Sequence, residues 1–346
     1  MTKNLSMYKL QRLLNSCVIV IACVALCGLG VTVAVGLRIQ AGKPSKFLGN
    51  RTENTAFLKA TTDPNDFTFI VAGDIKGGTA TFESLLSVMQ PEKPAFSVVL
   101  GDFVSGPELN RHRLFAFEMS EDNLRFPMFL VVGNHDVSPE GPFRLEDFER
   151  IYGPSQFDFM IGKHLFIFLN NAPPFDKTEE YLNFLERVLC ERAKQSQDIF
   201  VFMHVPPSRL NPSLMCNTPH GSERFYRLVE KYHVQYVFAG DHHGYVKTVK
   251  DGTTYIVTGG GGARLRGKHG RFHHLVRIGV ENGMTTETVV VTKKHLETME
   301  LLERNVVVHL WPLIAQNSIS VGVTLLLSGI VVWLLVFSLR RCRQLK

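Results

Sequence analysis

Through the middle of the chain, short apolar runs alternate with longer stretches in which apolar residues recur at helical spacing. The runs Phe67–Ala72, Phe96–Leu100, Met128–Val132, Leu165–Leu169, Ile199–Met203 and Tyr236–Ala239 read as buried strands. Segments near Thr79–Met89, Glu108–Ser120, Leu145–Tyr152, Glu179–Lys194 and Ser222–Tyr232 read as helices between them. Such alternation predicts a sheet with helices on its faces. After Tyr245 the texture changes to strand-like pieces, Tyr245–Val249, Thr254–Val257, His274–Gly279 and Thr286–Thr292, separated by glycine-containing turns. These are expected to form a second sheet that closes the core.

The two ends carry a different pattern. Residues 17–37 and 319–339 are uncharged and largely apolar, each about 20 residues, which at ~1.5 Å per residue covers a ~30 Å hydrocarbon layer. Both are expected to be membrane spans. For the first, a cleaved signal peptide and, at Val20-Ile21-Ala22-Cys23, a lipoprotein-type cleavage site are the alternatives; the apolar run is longer than a signal core, which favours a retained anchor. Arg340, Arg341, Arg343 and Lys346 follow the second span and place the tail in the cytoplasm, against the weight of Arg38, Lys43, Lys46 and Arg51 after the first. The expected order is a cytoplasmic segment 1–16, a span 17–37, a linker 38–66, a folded domain 67–293, a juxtamembrane segment 294–318, a span 319–339 and a basic cytoplasmic tail 340–346. The domain between the spans is then extracytoplasmic and both termini cytoplasmic. Residues 294–316 fit either an amphipathic helix, with Trp311 at the interface and Pro312 at a bend, or a simple linker.

Composition changes this picture little. The net charge of +6 is partly owed to the flanks of the spans and argues for contact with anionic lipid rather than nucleic acid. Cys17, Cys23 and Cys27 belong to the first span and Cys342 to the tail, leaving Cys190 and Cys216 in the domain as either a disulfide or two unrelated thiols. Asn50-Arg51-Thr52 matches the glycosylation triplet, a pattern common by chance. Oligomeric state is not legible.

Candidate chemistry sits where the apolar runs stop. They end on Gly73-Asp74, Gly101-Asp102, Gly133-Asn134-His135-Asp136, His204 and Gly240-Asp241-His242-His243. In a layered sheet, ligands bind beyond the carboxyl ends of the strands, so distant parts of the chain converge there. One aspartate at a strand end is ordinarily a turn residue; five stations in succession point to a metal centre. The Gly259–Gly262 run lacks the Lys-Ser or Lys-Thr of a phosphate loop and reads as permissive backbone. His112 and His220 have no motif around them and read as ordinary packed or surface residues.

Together with Tyr152-Gly153-Pro154, His204-Val205-Pro206-Pro207 and Thr258–Gly262, these stations resemble the calcineurin-like metallophosphoesterases, whose pattern is Asp-x-His, Gly-Asp, Gly-Asn-His-Asp/Glu, His and Gly-His-x-His. The resemblance implies an α/β fold, a four-layer α/β/β/α sandwich of two mixed sheets, here flanked by the two transmembrane helices. It implies two divalent metal ions bridged by Asp102, the first completed by Asp74 and His243, the second by Asn134, His204 and Asp241. It further implies that His135, paired with Asp136, faces the substrate as the catalytic group. Lys76 stands where the pattern has a histidine, and an ammonium has no lone pair for a metal. Three readings stay open: a water replaces the ligand, Lys76 binds the substrate phosphate, or the site holds a single ion. Asp241 replaces another histidine but still offers an oxygen, which moves preference toward manganese, with iron, zinc and magnesium as alternatives. His242, pointing away from its neighbours in an extended segment, reads as a rim or supporting residue. Purple acid phosphatases have a tyrosine where this chain has Ser105, so an iron-tyrosinate centre is not expected. Arg264, Arg266, Lys268, His269 and Arg271 form a basic loop that is either simply solvated or, through Arg264 and Arg266, a clamp for an anionic group.

The resemblance implies a membrane-anchored hydrolase of phosphomonoesters or diesters, acting by attack of an activated hydroxide, with tethering as the reason to consider a lipid-linked substrate. The alternative is a degenerate member that binds a ligand or partner without turnover. Lys76 favours that alternative; Asp102, Asn134, His135, Asp136, His204 and His243 oppose it.

Overall fold

The computed structural model describes residues 2–121, 124–173, 179–214, 221–266, 270–292, 305–306, 310–316, 322–323 and 326–334. The chain divides into two compact units, Lys43–Leu301 and the joined termini Met1–Gly42 with Leu302–Lys346.

Among the described residues, the larger unit is built on eleven strands in two mixed sheets. The first runs in the order β11(Met284–Thr292), β10(His273–Glu281), β1(Asp66–Ala72), β2(Phe96–Val99), β3(Met128–Leu130). The second runs β4(Phe157–Ile161), β5(His164–Phe168), β6(Asp198–Phe202), β7(Tyr236–Ala239), β9(Thr253–Thr258), β8(Tyr245–Lys250). Within the sheets, β1, β2 and β3 are parallel, as are β5, β6, β7 and β9, so the carboxyl ends of the site-bearing strands β1–β3 point one way and those of β6 and β7 likewise.

Alternation along the strands sets the layers. In β1, Phe67, Phe69 and Val71 face one core while Ile70 and Ala72 face another. In β6, Phe200 and Phe202 face the first core while Ile199 and Val201 face a third. The shared core between the sheets is rich in phenylalanine, with Phe69 stacked on Phe96 at 4.9 Å and edge-on to Phe200 at 5.3 Å across the gap. Helices α3(Thr79–Met89), α4(Leu109–Glu121) and α5(Leu145–Tyr152) cover the outer face of the first sheet, and α6(Glu180–Arg192) and α7(Ser222–Lys231) that of the second. The strands are buried on both faces, which is why they read as continuous apolar runs rather than alternating ones.

Three expectations change. The four late strands do not make a sheet of their own: β8 and β9 extend the second sheet, while β10 returns antiparallel to β1 and carries β11 to the edge of the first. The strand β4 was not expected; its polar Asp158 and the short turn before β5 hide the alternation of Phe157, Phe159 and Ile161 toward the phenylalanine core. Residues expected as a linker carry the helix α2(Thr52–Thr61), and Leu48 bridges Met128 at the edge of the first sheet. Asn50 secures this segment. It is 3% exposed, donates from Nδ2 to the carbonyls of Leu130 (2.7 Å) and Pro154 (2.9 Å), and accepts the Leu130 N–H at 2.8 Å. Both amide hydrogens are engaged inside the fold, so the Asn50-Arg51-Thr52 triplet is a structural element and not a glycan site.

In the smaller unit, α1(Thr2–Ala41) contains Ser16–Ala41, long and apolar enough to cross a membrane. A short helix, Trp311–Gln316, places the Trp311 ring against Gly36, where any Cβ would collide. The second expected span, 319–339, falls only partly on described residues; 326–334 are helical, with Leu326, Leu327, Ile330, Val331, Trp333 and Leu334 exposed. Of the expected juxtamembrane segment, most lies outside the described residues, as do Cys216, His220, Lys268 and His269. Cys190 is exposed.

Candidate metal centre

Each strand-end station leaves its strand through a sharp turn. Asp74, Lys76, Asp102, Asp241 and His243 all have left-handed backbone, with φ of 56°, 45°, 54°, 61° and 26°. Non-glycine residues are held there only when the surroundings over-determine them. The loops are laced together by their backbones: Asp74 N–H donates to Gly101 O, Lys76 N–H to Asp102 O and Ala263 N–H to Asp74 O. Glycines permit the close approach. A Cβ at Gly259 would lie 2.5 Å from Asp74 Oδ2, and one at Gly133 would strike Asp102. The glycine run is thus required by contact with the centre, which extends its reading as permissive backbone.

Two groups of buried donors result, Asp74 with Asp102 and His243, and Asp102 with His204 and Asp241, each with its ligand atoms within 4.8 Å of one another. Asp102 belongs to both. The sequence-predicted residues Asp74, Asp102, Asn134, His204, Asp241 and His243 are therefore brought together.

The histidine tautomers decide whether these groups fit a cation. His204 Nδ1 lies 2.7 Å from Leu100 O and must donate to it. Its Nε2 then faces oxygens: Asn134 Oδ1 at 3.1 Å, Asp102 Oδ1 at 3.5 Å and Asp241 Oδ1 at 3.9 Å. Acceptors converging on a lone pair require a positive charge among them, and a divalent ion supplies it. In the cation's place a proton feels the same field: burial lowers the His204 pKa, but Asp102, Asp241 and Asp74 overcome it and raise it to about 9. The other group repeats the pattern. His243 Nδ1 donates to Arg264 O at 2.8 Å, and Nε2 faces Asp74 Oδ1 across 3.3 Å, both atoms buried without a hydrogen-bond partner. Burial, aided by the Asp102 charge and opposed by His243, raises the Asp74 carboxyl above the usual range. Burial would raise Asp102 too, but His204, Lys76 and His135 prevail and hold it low. Imidazole nitrogen with carboxylate and amide oxygens suits zinc, iron and manganese alike.

Lys76 does not point to solvent. Its Nζ is 2.7 Å from Asp102 Oδ2, and the side chain is 14% exposed.

The expected pairing of His135 with Asp136 is replaced by a different arrangement. Asp136 Oδ2 accepts the N–H groups of Asp102 and Gly133, each at 2.8 Å, and Oδ1 that of Val104 at 3.2 Å. Fully buried and beside Asp102, its carboxyl is pushed well above the usual range. Asp136 is a brace between two ligand loops. His135 instead sets its backbone N–H on Asp102 Oδ1 at 2.9 Å and its Nδ1 3.3 Å from the carbonyl of Ser105.

Two supporting residues carried no sequence signal. His112, 1% exposed and stacked on Phe143 at 3.7 Å, donates from Nε2 to the Asp136 carbonyl at 2.9 Å and lies 3.2 Å from the Tyr152 hydroxyl through Nδ1. Asn171, buried, accepts the N–H groups of His204 (3.0 Å) and Val205 (3.1 Å) and donates to Val205 O at 2.6 Å. Arg264 and Arg266 are exposed, and both hold His243 through their backbones, Arg264 O as above and Arg266 N–H on His243 O at 2.9 Å. His242 is buried.

Comparison with known proteins identifies a family and a fold. The profile of the calcineurin-like phosphoesterases matches residues 67–245. The serine/threonine-protein phosphatase CPPED1 of Homo sapiens is 25% identical over 255 residues, covering 65% of this chain and 74% of the relative. The Bos taurus protein of that name is 30% identical over 130 residues, 33% of this chain and 41% of its own length, so the matched part spans less than half of that relative. Among solved structures, the purple acid phosphatase PPD1 from yellow lupin superposes with a TM-score of 0.53 at 14% identity, covering 69% of this chain and 55% of the lupin chain.

Proposed function

Because the chain belongs to the calcineurin-like phosphoesterase family, we propose that it hydrolyses a phosphate ester at the strand-end centre and does so at a membrane. The observation that carries this reading is the convergence of His204 Nε2 with the oxygens of Asn134, Asp102 and Asp241, a buried donor set of the chemistry that binds a divalent cation. Asp102, Asn134, His204 and Asp241 would hold a divalent ion, and Asp74 and His243 complete a second group with Asp102. Oxygen-rich ligation favours manganese. When bound, such an ion lowers the pKa of water and neutralises charge on phosphoryl oxygens.

The chain's own residues supply the rest. Asp136 and His112 hold the loop from Gly133 to Asp136 in place, so His135 is presented in one orientation. With Nδ1–H directed to Ser105 O, His135 turns Nε2 to the substrate; as the imidazolium, its Nε2–H would donate to a phosphoryl oxygen or pass its proton to the leaving oxygen as the P–O bond breaks, leaving the ring neutral. The exposed Arg264 and Arg266 flank His243 and offer positive charge to an anionic substrate.

Anchoring rests on Ser16–Ala41, with 319–339 as a second span and the basic tail inside, which puts the centre outside the cytoplasm and within reach of lipid-linked phosphodiesters. Full-length protein in detergent should hydrolyse model phosphomonoesters or diesters with added manganese, and Asp102→Asn and His204→Ala should each abolish turnover. Turnover indifferent to both substitutions overturns the assignment of the site. No turnover with any divalent metal leaves a ligand-binding member of the fold. Reporter fusions at both termini test the topology, and an external C-terminus contradicts it.

A further inference from the structure

We propose that Lys76 is a resident cation of the centre: its ammonium takes the place of one metal ion on Asp102, and the protein works with a single divalent ion held by Asp102, Asn134, His204 and Asp241. This rests on the reading of the centre as a metal-dependent phosphoesterase and concerns how many ions it holds.

Distance gives the first argument. At 2.7 Å from Asp102 Oδ2, the Lys76 Nζ sits at the range of a hydrogen-bonded ion pair and covers that carboxylate oxygen. The other oxygen, Oδ1, accepts the His135 N–H at 2.9 Å and is the one turned toward His204 Nε2. Asp102 is thus divided, one oxygen serving the lysine and the other the group around His204. An ion entering between Asp74 and His243 gains Asp102 Oδ2 only by displacing the ammonium. Displacement leaves a largely buried positive charge without its partner, beside a second, doubly charged one.

Charge gives the second. The carboxylates of the two ligand groups are Asp74, Asp102 and Asp241, all buried, and Lys76 brings its ammonium to within 2.7 Å of Asp102, while the buried Asp136 turns its oxygens to backbone N–H groups. The ammonium supplies part of the positive charge that two metal ions would otherwise bring to these three carboxylates. A second ion would crowd further positive charge into a region walled by Gly240 and Gly259 packed against the ligands, where charge is poorly solvated. Asp241, the other departure from histidine, concentrates negative charge in the group that keeps its metal. The two substitutions work in one direction. They weaken the group of Asp74 and His243 for a divalent ion and strengthen the group of His204.

Lys76 also reaches the site through a backbone that has no slack. Its φ of 45° and its N–H bond to Asp102 O (2.9 Å) fix the Cα beside the carboxylate that its side chain meets. Gly77 and Gly78 follow, and Gly78 packs against Gly262 with no room for a Cβ. Withdrawal of the ammonium therefore has to come from the side chain alone.

Manganese titration of the full-length protein, read by plasma mass spectrometry after gel filtration and by electron paramagnetic resonance, decides the matter. Wild type should saturate at about one ion per chain with an uncoupled manganese spectrum. K76R, which keeps the charge, should do the same. K76H and K76M should take up about a second ion and show the exchange-coupled spectrum of a manganese pair. Two coupled ions in wild type overturn the proposal while leaving the phosphoesterase reading intact. One ion in K76H and K76M as well overturns it too, since the lysine would then not be what excludes the second ion. No ion in wild type, with thermal stability unmoved by manganese, sinks the metal-dependent reading itself. If K76H and K76M fail to fold, the wild-type stoichiometry alone still decides between one ion and two.

Discussion

At the residue scale, the candidate ligands are legible in the sequence because each ends an apolar run, and the chain has to turn there. What surrounds them is not. Asp136 stands next to His135 in the chain and reads as its partner, yet its carboxylate goes to the N–H groups of Asp102, Gly133 and Val104. His112 and Asn171 act on residues 24 and 33 positions away, through packing that no local motif encodes. His112 makes a pH prediction. Burial lowers its pKa from 6.5 to about 3, so the folded protein keeps it neutral where the unfolded chain protonates. Above about pH 6.5 neither form binds the proton and its contribution is fully present; as pH falls toward 3, stability is lost at up to about 1.4 kcal/mol per pH unit. His274, lowered by burial to about 4, adds to the same slope. Urea midpoints at roughly pH 7 and pH 4.5 should diverge in wild type and converge partly in His112→Gln. An unchanged slope in that variant refutes the role.

At the element scale, the six apolar runs became strands β1, β2, β3, β5, β6 and β7, and the five helical patterns became α3 to α7. Periodicity identifies an element but not its partner. Nothing in His274–Gly279 tells that it pairs with β1 rather than with the strands just before it, so the division of the last four strands between two sheets had to come from the structure. The segment before β1 was misread for a related reason. It is polar and short, and only the contacts of Asn50 with Leu130 and Pro154, 80 and 104 positions away, show that it belongs to the fold. Asn50→Ala removes three hydrogen bonds and strands the Leu130 backbone in the interior. A loss of about 3 kcal/mol is expected, measurable by denaturant unfolding, against ~0.5 kcal/mol for an ordinary surface substitution. Enzymatic deglycosylation of protein made in a eukaryotic host should leave its electrophoretic mobility unchanged at this position.

At the scale of the whole molecule, the centre belongs to neither sheet alone. Asp74, Asp102 and Asn134 follow strands of the first sheet, while His204, Asp241 and His243 follow strands of the second. A bound ion therefore stabilises the joined state. At about a hundredfold excess over its dissociation constant it contributes ~2.7 kcal/mol, which for a unit of this size corresponds to roughly 5–10 °C in thermal midpoint. Chelation should lower the midpoint by that amount, and His204→Ala should make it insensitive to chelator; an identical response in both proteins excludes this coupling.

The layer of phenylalanine rings between the sheets has a mechanical consequence. Rings packed on rings hold the sheets together by burial, without hydrogen bonds that fix the position of one sheet along the other. Sliding is opposed where loops of the two sheets are tied. His204 Nδ1–H to Leu100 O and Asp241 N–H to Asp74 Oδ2 both cross from one sheet's loops to the other's. The centre thus behaves as a shear pin. A slip of ~1 Å between the halves is enough to misplace reacting groups and cost about a hundredfold in rate. Loss of activity at denaturant concentrations below the unfolding transition should then precede any loss of fold.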